Sequence, residues 1–352
     1  MPAAISTAMN TEVTTVSDDD VVMHRPAAGD EPCGVVSHVG LEPDTEYDFD
    51  GVMARTLPRP PGELLARVAT INDVHFGEVA AGIVAGTDVG PVLSSEPGED
   101  PYPLIMNRAA VADMSEWAPD LVVAKGDLTD AGRSEDFKAF TDCYSVFGSR
   151  LVVLPGNHDV AGGPLDLAAE PFGGRVPSAV DLPGVTVAVL DTTIPRAATG
   201  RISSEQLEWL DELGARADRP VLVMGHHHPW GPGSRIRSDE YYGIRPADSE
   251  ALVGVFVRRP RLAGYFAGHT HRNRVRRFGA TGVRPFVEVA SVKEFPGVWA
   301  EYRIYEGGIL QIVRRIGGTP ALRWSERTRV LYGGTYTDYA FGSLADRCFR
   351  VT

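Results

Sequence analysis

The stretch DLVVAKGDLTD, residues 120–130, decides the fold. It opens with a short apolar run that includes two valines, which predicts a buried strand, and polar residues beginning at Gly126 and Asp127 follow this run. The same pattern recurs at RVATIN (67–72) and at RLVVL (150–154), where polar residues again follow the apolar run. Ligand sites of α/β folds lie beyond the carboxyl ends of the strands. The pattern therefore predicts an α/β fold with its site at that edge.

Further strands and helices are predicted along the chain. The other apolar runs lie at 185–190, 220–224 and 262–267, and helical segments fit at 104–117, 134–147, 203–217 and 247–258. Ser203 with Gln206 forms a capping box at the start of the third helix. Residues 283–315 contain several strands separated by turns. Alternating strands and helices followed by a meander predict two sheets packed face to face, with helices outside.

Nearly every apolar run is followed by residues that can bind metals. In chain order they are Asp73 and His75 in NDVHFG, Asp127 and Asp130 in KGDLTD, Asn157, His158 and Asp159 in PGNHDV, His226, His227 and His228 in GHHHP, and His269 and His271 in GHTHRN. On an extended backbone, the two side chains of D-x-H or H-x-H point the same way and can serve one site. A single pair of this kind is usually a solvated loop. Five such pieces in order predict a shared metal site.

The ligand types narrow the metal chemistry. Carboxylate, imidazole and amide ligands without a thiolate suit Mn, Fe or Zn. Seven of these twelve residues, one of them a histidine of GHHHP, are candidate ligands. This number exceeds the needs of one ion, so two ions that share a bridging carboxylate are expected. Two ions about 3.5–4 Å apart lower the pKa of a water held between them, so that it ionises to hydroxide, and they bind the oxygens of a phosphate ester. Asn157 would add a ligand without adding negative charge.

The ordered set D-x-H, GD-x-x-D, GNHD, GHHHP and GHTH resembles the calcineurin-like metallophosphoesterase family over about residues 67–315, and within it the bacterial phosphodiesterases of cyclic-nucleotide and glycerophosphodiester type. The resemblance implies a four-layer αββα sandwich, here with a short N-terminal β-rich extension. It also implies a ligand set: Asp73, His75, Asp127 and His271 for one ion, and Asp127, Asn157, His269 and a histidine of the GHHHP motif for the other. His158 would act near the leaving-group oxygen, and Asp159 would orient or polarise His158.

The GHHHP motif leaves its ligand open between two histidines. The family places this ligand two residues before a proline, and counting back from Pro229 favours His227. Counting forward from Gly225 gives His226 instead. His228, next to the proline, is expected to face the substrate.

Composition and charge divide the chain into four expected segments. They are an acidic, partly disordered N-terminus (1–34), a partial fibronectin III-like β segment with linker (35–62), the catalytic domain (63–317) and a C-terminal tail that packs on it (318–352). Residues 1–56 hold eleven acidic residues and two arginines, which is −9 of the net charge of −13. Within LEPDTEYDF, Tyr47 is expected to hydrogen-bond back to the backbone as in a fibronectin corner.

The same composition excludes several classes of protein. The body outside residues 1–56 carries a charge of only about −4, which argues against nucleic-acid binding. Three cysteines without a CxxC pair do not form a disulfide framework. No apolar run approaches a membrane span, and the first residues do not resemble a secretory signal, so a cytoplasmic location is expected. The expected partner is a small-molecule phosphate ester, and oligomerisation stays open.

The resemblance implies a dinuclear metal-dependent phosphoesterase, in which a metal-bridging hydroxide attacks phosphorus and phosphodiesters are preferred. A phosphomonoesterase or nucleotidase of the same fold is the first alternative. A non-catalytic scaffold is the second, and it is disfavoured because every ligand position is filled and His158 is present.

Overall fold

A computed structural model describes residues 11–27, 33–84, 86–170, 174–231, 234 and 237–352. The strands in these ranges are β1 (Glu12–Val16), β2 (Asp20–Arg25), β3 (Gly34–Val39), β4 (Glu46–Phe49), β5 (Val52–Arg55), β6 (Leu64–Ile71), β7 (Leu121–Lys125), β8 (Leu151–Leu154), β9 (Ser178–Leu182), β10 (Val185–Val189), β11 (Val221–Met224), β12 (Leu262–Ala267), β13 (Arg274–Arg277), β14 (Pro285–Glu288), β15 (Val298–Tyr305), β16 (Gly308–Arg315) and β17 (Cys348–Arg350). The α-helices are α1 (Tyr102–Trp117), α2 (Ser134–Tyr144), α3 (Ser204–Arg216), α4 (Pro246–Arg258), α5 (Thr319–Arg327), α6 (Tyr336–Phe341) and α7 (Leu344–Arg347). None of these helices is long and apolar enough to cross a membrane.

Two six-stranded sheets form the body of the protein. Sheet A has the order β13-β14-β12-β11-β10-β9, and sheet B has the order β17-β16-β15-β6-β7-β8. The neighbours β6, β7 and β8 run parallel, as do β10, β11, β12 and β14. The carboxyl end of β6 lies beside that of β14, because Asn72 Nδ2 donates a hydrogen bond to the carbonyl of Val289 at 3.1 Å. The carboxyl ends of the parallel strands in both sheets therefore meet at one end of the sandwich.

Three apolar layers hold this arrangement together. The central layer lies between the sheets and includes Val123 from sheet B and Leu222 from sheet A. Helices α1 and α2 cover the outer face of sheet B, and α3 and α4 cover the outer face of sheet A. The central strands are buried on both faces, which explains their continuous apolar sequences. The four-layer αββα fold is thus confirmed. Ser203 does cap α3, since its side chain accepts a hydrogen bond from the Gln206 amide, but the expected capping box is wrong, because the Gln206 side chain bonds the backbone of Asp191 instead.

The N-terminal region forms more regular structure than the sequence suggested. β1, β2 and β3 form a three-stranded sheet, and β4 and β5 form a hairpin. The expectation of a loosely ordered segment is wrong for residues 12–25, because Val16 and Val21 are buried against Leu310 and Ile312 of β16. The backbone amide of Glu42 donates to the Tyr47 hydroxyl at 2.8 Å, the contact expected of a fibronectin-type corner. Residues 1–10 and 28–32 of the segment lie outside the described residues.

The C-terminal residues pack on the body. β17 pairs antiparallel with β16 at the edge of sheet B, and Trp324 of α5 and Tyr336 of α6 are buried. The division of the chain into four segments stays a prediction.

Candidate metal centre

Candidate ligands from both sheets lie at one end of the sandwich. They are Asp73 and His75 after β6, Asp127 after β7, Asn157 after β8, His226 and His227 after β11, and His269 and His271 after β12. Asn157 and His271 are partly exposed, and the other six side chains are buried. Overlapping groups of three ligand atoms, each group within 4.8 Å, include all of these residues except Asn157. Asn157 joins them through a contact with His226.

The backbone at these residues is left-handed rather than extended. Five ligand candidates have a positive φ: Asp73 (53°), His75 (46°), Asp127 (51°), His269 (68°) and His271 (53°). This conformation costs about 1–2 kcal/mol for a residue with a Cβ and concentrates at functional sites. The D-x-H and H-x-H pairs do converge, but the expected extended geometry is wrong. The side chains meet because each loop turns sharply after its strand.

Two motif glycines allow the loops to approach one another. A Cβ on Gly156 would lie 2.2 Å from the amide nitrogen of Asp127, and one on Gly268 would lie 2.6 Å from Asp73 Oδ2. The glycines of GNHD and GHTH are therefore required by close packing around the carboxylates. His158 adds to this packing, because its amide donates to Asp127 Oδ1 at 2.9 Å.

The first ligand group surrounds Asp73. His271 Nε2 lies 3.4 Å from Asp73 Oδ1, and His75 Nε2 lies 3.5 Å from Asp127 Oδ2. Asp73 also accepts hydrogen bonds from the amide of His269 at 3.0 and 3.1 Å, which fix its carboxylate. Asp127 thus contacts this group through His75, and it also contacts the second ligand group, which surrounds His226.

The second ligand group surrounds His226. Its Nε2 lies 3.3 Å from Asp127 Oδ2 and 3.2 Å from Asn157 Oδ1, and its Nδ1 lies 2.8 Å from the carbonyl of Lys125. Donation from Nδ1 to that carbonyl leaves the lone pair on Nε2, which faces the carboxylate and the amide. His269 completes the group, with its ring centroid 5.1 Å from that of His226.

The contacts favour His226 over His227 as the ligand, although a ring nitrogen of His227 also lies within 4.8 Å of ligand atoms of His226 and His269. Its Nδ1 lies 2.8 Å from the Thr192 hydroxyl, and its ring lies nearest to His269, with centroids 4.4 Å apart. Counting back from the proline assumed a fixed loop geometry, whereas the turn after β11 presents the first histidine to Asp127. His228 is buried, and its Nε2 lies 3.0 Å from the Tyr241 hydroxyl. It does not line an open surface, which differs from the expectation that it faces the substrate.

Two features of the cluster are compatible with bound metal ions: the distances between its ligand atoms, and buried ring nitrogens that lack hydrogen-bond partners in the described residues. Two ligands that share an ion at about 2.1 Å lie roughly 3.0–3.5 Å apart, which matches the distances around Asp73 and Asp127. The Nε2 atoms of His75, His227 and His269 are buried without a hydrogen-bond partner in the described residues. Buried polar atoms without partners are rare in folded proteins, and several in one cluster indicate a missing ligand.

The electrostatics also favour a cation. Burial opposes ionisation of Asp127, but His226 outweighs it and holds the pKa of Asp127 well below its usual range. Burial likewise opposes protonation of His226, yet Asp127 raises the pKa of His226 to about 9. The pKa of His271 is raised to about 10, because Asp73 and Glu294 outweigh burial. The cluster therefore attracts positive charge, as protons or as metal cations.

His158 lies beside the cluster and is held through one ring nitrogen. Its Nδ1 lies 2.7 Å from the backbone carbonyl of Asp130 and donates to it. The His158 side chain is 39% exposed, and its ring centroid is 4.5 Å from that of His75. Nε2 is therefore the nitrogen that remains to exchange a proton with a bound molecule.

Asp159 does not contact the ring of His158, so the expectation that it orients or polarises that ring is wrong. Its buried carboxylate accepts four hydrogen bonds: from the amides of Leu128, Thr129 and Gly156 and from the Thr129 hydroxyl, at 2.8–3.1 Å. Asp159 thus ties the loop after β7 to the loop after β8. The Asp130 carbonyl supplies the contact to His158 instead.

Several residues near the cluster were not found from the sequence. Glu294 accepts a hydrogen bond from His271 Nδ1 at 2.7 Å, and Lys293 Nζ lies 2.6 Å from both oxygens of Glu78. Tyr242, by contrast, belongs to the aromatic stretch that follows GHHHP, which the sequence places at the rim of the site, and it stacks on His269 with centroids 4.0 Å apart. Glu294 lies in SVKEFPG, which follows no motif pattern, so no local signal points to it.

Comparisons with known sequences agree with this geometry. The sequence matches the calcineurin-like phosphoesterase family over residues 66–273. A probable cyclic nucleotide phosphodiesterase of Rhodococcus erythropolis is 30% identical over 228 residues, covering 62% of this chain and 68% of the relative. The 3',5'-cyclic adenosine monophosphate phosphodiesterase of Escherichia coli K12 is 30% identical over 156 residues, covering 44% and 54%. A probable cyclic nucleotide phosphodiesterase of Synechococcus is 25% identical, covering 49% and 66%. The chain spans between 54% and 68% of the length of these relatives.

A comparison with solved structures supports the fold. A dimetal phosphatase from Danio rerio superposes with a TM-score of 0.57 at 15% identity, covering 72% of this chain and 98% of that one. At this identity the likeness concerns the fold alone.

Proposed function

The chain belongs to the calcineurin-like phosphoesterase family, and from this premise we propose that it hydrolyses phosphate esters at a pair of metal ions. Its relatives are named as phosphodiesterases, which favours phosphodiesters over monoesters. One observation carries the proposal. Carboxylate, amide and imidazole ligands converge around Asp127, and buried ring nitrogens there have no hydrogen-bond partner in the described residues.

We assign the ligands by their contacts. The first ion would be held by Asp73, His75, Asp127 and His271, and the second by Asp127, Asn157, His226 and His269. His226 replaces His227 in this assignment because its Nε2 lies beside both Asp127 and Asn157. Bound metal ions would polarise the phosphoryl oxygens and lower the pKa of a bound water to give a nucleophile. The mixed nitrogen and oxygen ligands suit Mn, Fe or Zn.

Two further side chains have roles besides metal binding: His158 would transfer a proton, and Asp159 would hold the loops in place. The Asp130 carbonyl keeps the Nδ1 proton of His158, so the ring donates or accepts only at Nε2. His158 would give a proton to the leaving-group oxygen or stabilise charge on it. Asp159 would keep the loops after β7 and β8 in register, which fixes the distance between Asp127 and His158. A cytoplasmic location and the oligomeric state stay predictions.

A hydrolysis screen tests the proposal. The purified chain is treated with EDTA and then supplied with Mn²⁺, Fe²⁺ or Zn²⁺, and bis-p-nitrophenyl phosphate, p-nitrophenyl phosphate and cyclic nucleotides are compared. We expect activity only with metal, and higher kcat/KM for diesters. Higher kcat/KM for the monoester would instead indicate a phosphatase, and metal uptake without hydrolysis of any ester would indicate a scaffold.

The His158→Ala variant isolates the role of this side chain. It should bind the same number of metal ions and lose about 10²–10⁴ in turnover, which is the usual contribution of a general acid. His38→Ala, in the N-terminal extension, serves as a matched control and should keep normal turnover. Normal turnover of His158→Ala would remove this residue from the proposed chemistry.

A further inference from the structure

Two residues outside the family match connect the C-terminal segment to the metal centre. Glu294 follows β14 and is fully buried. Its Oε1 accepts a hydrogen bond from His271 Nδ1 at 2.7 Å and another from the Tyr336 hydroxyl at 2.6 Å. The match to the family ends at residue 273, so both Glu294 and Tyr336 lie outside the matched region.

We propose that Glu294 and Tyr336 are positioning residues of the metal centre: Tyr336 fixes the carboxylate of Glu294, which fixes the ring of His271. The inference rests on the proposed function, because it takes His271 as a metal ligand. With Nδ1–H donated to Glu294, the lone pair of His271 is on Nε2, which points to Asp73 Oδ1 at 3.4 Å. A carboxylate behind a ligating histidine sets its tautomer and orientation and makes it a stronger ligand.

The contacts of Glu294 favour this role over a purely structural one. Burying a carboxylate is costly unless its oxygens are well satisfied. Among the described residues, Oε2 of Glu294 has no hydrogen-bond partner; it is buried and lies 4.0 Å from Lys293 Nζ, while Oε1 accepts from both His271 and Tyr336. No backbone amide of the described residues donates to it, whereas the carboxylate of Asp159, which holds two loops together, is satisfied by such amides. The hydrogen bonds of Glu294 therefore orient its carboxylate toward the ring of His271.

The C-terminal segment also holds the backbone around Glu294. The Thr328 hydroxyl accepts from the amide of Phe295 at 2.8 Å, and Trp324 Nε1 donates to the carbonyl of Lys293 at 2.8 Å. Both neighbours of Glu294 are thus tied to the segment that supplies Tyr336. The geometry of one ligand therefore depends on a segment that lies outside the region matched by the family.

Metal binding by the full chain tests the inference without relying on activity. Equilibrium dialysis against Mn²⁺ is compared for wild type, Tyr336→Phe and Glu294→Gln. Removing the outer partner of a ligating histidine typically costs 10–100-fold in metal affinity. We therefore expect about 10-fold or more weaker binding at one of two Mn²⁺ sites in both variants. Tyr332→Phe is the matched control, because Tyr332 packs on Tyr336 with centroids 5.1 Å apart but, unlike Tyr336, gives Glu294 no hydrogen bond in the described residues; it should bind like wild type.

A double-mutant cycle separates positioning from a general loss of structure. In a His271→Ala background, Tyr336→Phe should cause no further loss of Mn²⁺ affinity, because its effect passes through the ring that is already absent. An equal loss in both backgrounds, or wild-type binding by Tyr336→Phe, would overturn the inference and leave the proposed function standing. A wild-type chain that binds no Mn²⁺ would overturn both.

Discussion

At the scale of residues, the three consecutive histidines differ by which contact each ring makes. His226 and His227 are adjacent, of the same type and equally buried, yet only His226 directs Nε2 to Asp127 and Asn157. His227 contacts Thr192 through Nδ1, and its Nε2 has no hydrogen-bond partner in the described part of the chain. The two side chains thus form a natural pair for testing the ligand assignment.

We expect His226→Ala to bind one Mn²⁺ per chain, and His227→Ala to bind two. His226 would bind the same ion as the bridging carboxylate of Asp127. Its removal should therefore lower turnover by more than about 100-fold, which exceeds the effect of losing a residue that only hydrogen-bonds to a ligand. Metal content after dialysis, measured alongside turnover on bis-p-nitrophenyl phosphate, checks both. If His227→Ala loses the second ion and His226→Ala keeps it, the assignment based on counting back from Pro229 is restored.

The sequence could name the residue types at the site but not the contacts that define their roles. The period-two spacing of Asp73 and His75 suggested an extended backbone, whereas both residues are left-handed. The role given to Asp159 failed because its carboxylate satisfies backbone amides of a neighbouring loop, which no spacing reveals. Glu294 is 23 residues from the histidine that it contacts. Such partners depend on how distant loops pack, so local patterns do not predict them.

At the scale of elements, the acidic turn between β1 and β2 attaches the N-terminal sheet to the body. Asp18 accepts hydrogen bonds from Arg303 at 2.6 Å and from the Tyr305 hydroxyl at 2.9 Å. Glu301 accepts from the same arginine and from Arg314, which also binds Asp20. The acidic residues of this turn therefore form an ion-pair network with β15 and β16 rather than a solvated face.

Breaking this network should destabilise the fold. Arg303→Met takes one cationic partner from the buried carboxylates of Asp18 and Glu301, which keep Arg59 and Arg314. The loss in the free energy of unfolding should therefore be measurable but stay below the roughly 3–5 kcal/mol typical of a buried charge left without any partner. Urea denaturation measures the loss, and early proteolysis within residues 12–55 would show that the N-terminal sheet detaches. Arg55→Met is the control, because Arg55 pairs with Asp44 on the surface with more than half of each side chain exposed, and it should unfold like wild type. Unchanged urea stability of Arg303→Met would show that apolar packing alone holds the sheet.

Strands were predicted best where a continuous apolar run in the sequence corresponds to a strand that is buried in the fold. The apolar runs at 120–124 and 220–224 became central strands because both of their faces are covered. The run at 150–154 became β8, the edge strand of sheet B, and only its second half is buried. β1 and β2 were missed because acidic residues and short length concealed strands that become stable only on contact with β16. For such edge elements, tertiary contacts decide what local propensity leaves open.

At the scale of the whole molecule, folding buries neutral histidines away from water, and this couples stability to pH. His24 of β2 is outside the metal centre, and its Nδ1 lies 2.7 Å from the Thr14 hydroxyl. Burial, helped by the positive charges of Arg315 and Arg329, lowers the pKa of His24 to about 3. The unfolded chain binds a proton at this residue below pH 6.5, whereas the folded chain stays neutral down to about pH 3.

Between these two values the unfolded state binds more protons, so the free energy of unfolding must fall as pH falls. The contribution of His24 approaches about 1.4 kcal/mol per pH unit below pH 6.5. We expect the pH slope of wild-type stability from pH 6.5 to 4.5, measured by urea denaturation in EDTA, to exceed that of His24→Gln by about this amount. EDTA removes metal from both proteins. The ligand histidines therefore contribute equally to the two pH slopes, and their contribution cancels when the slope of His24→Gln is subtracted from that of wild type. Equal slopes would mean that His24 becomes protonated in the folded state, which its burial beside two arginines opposes.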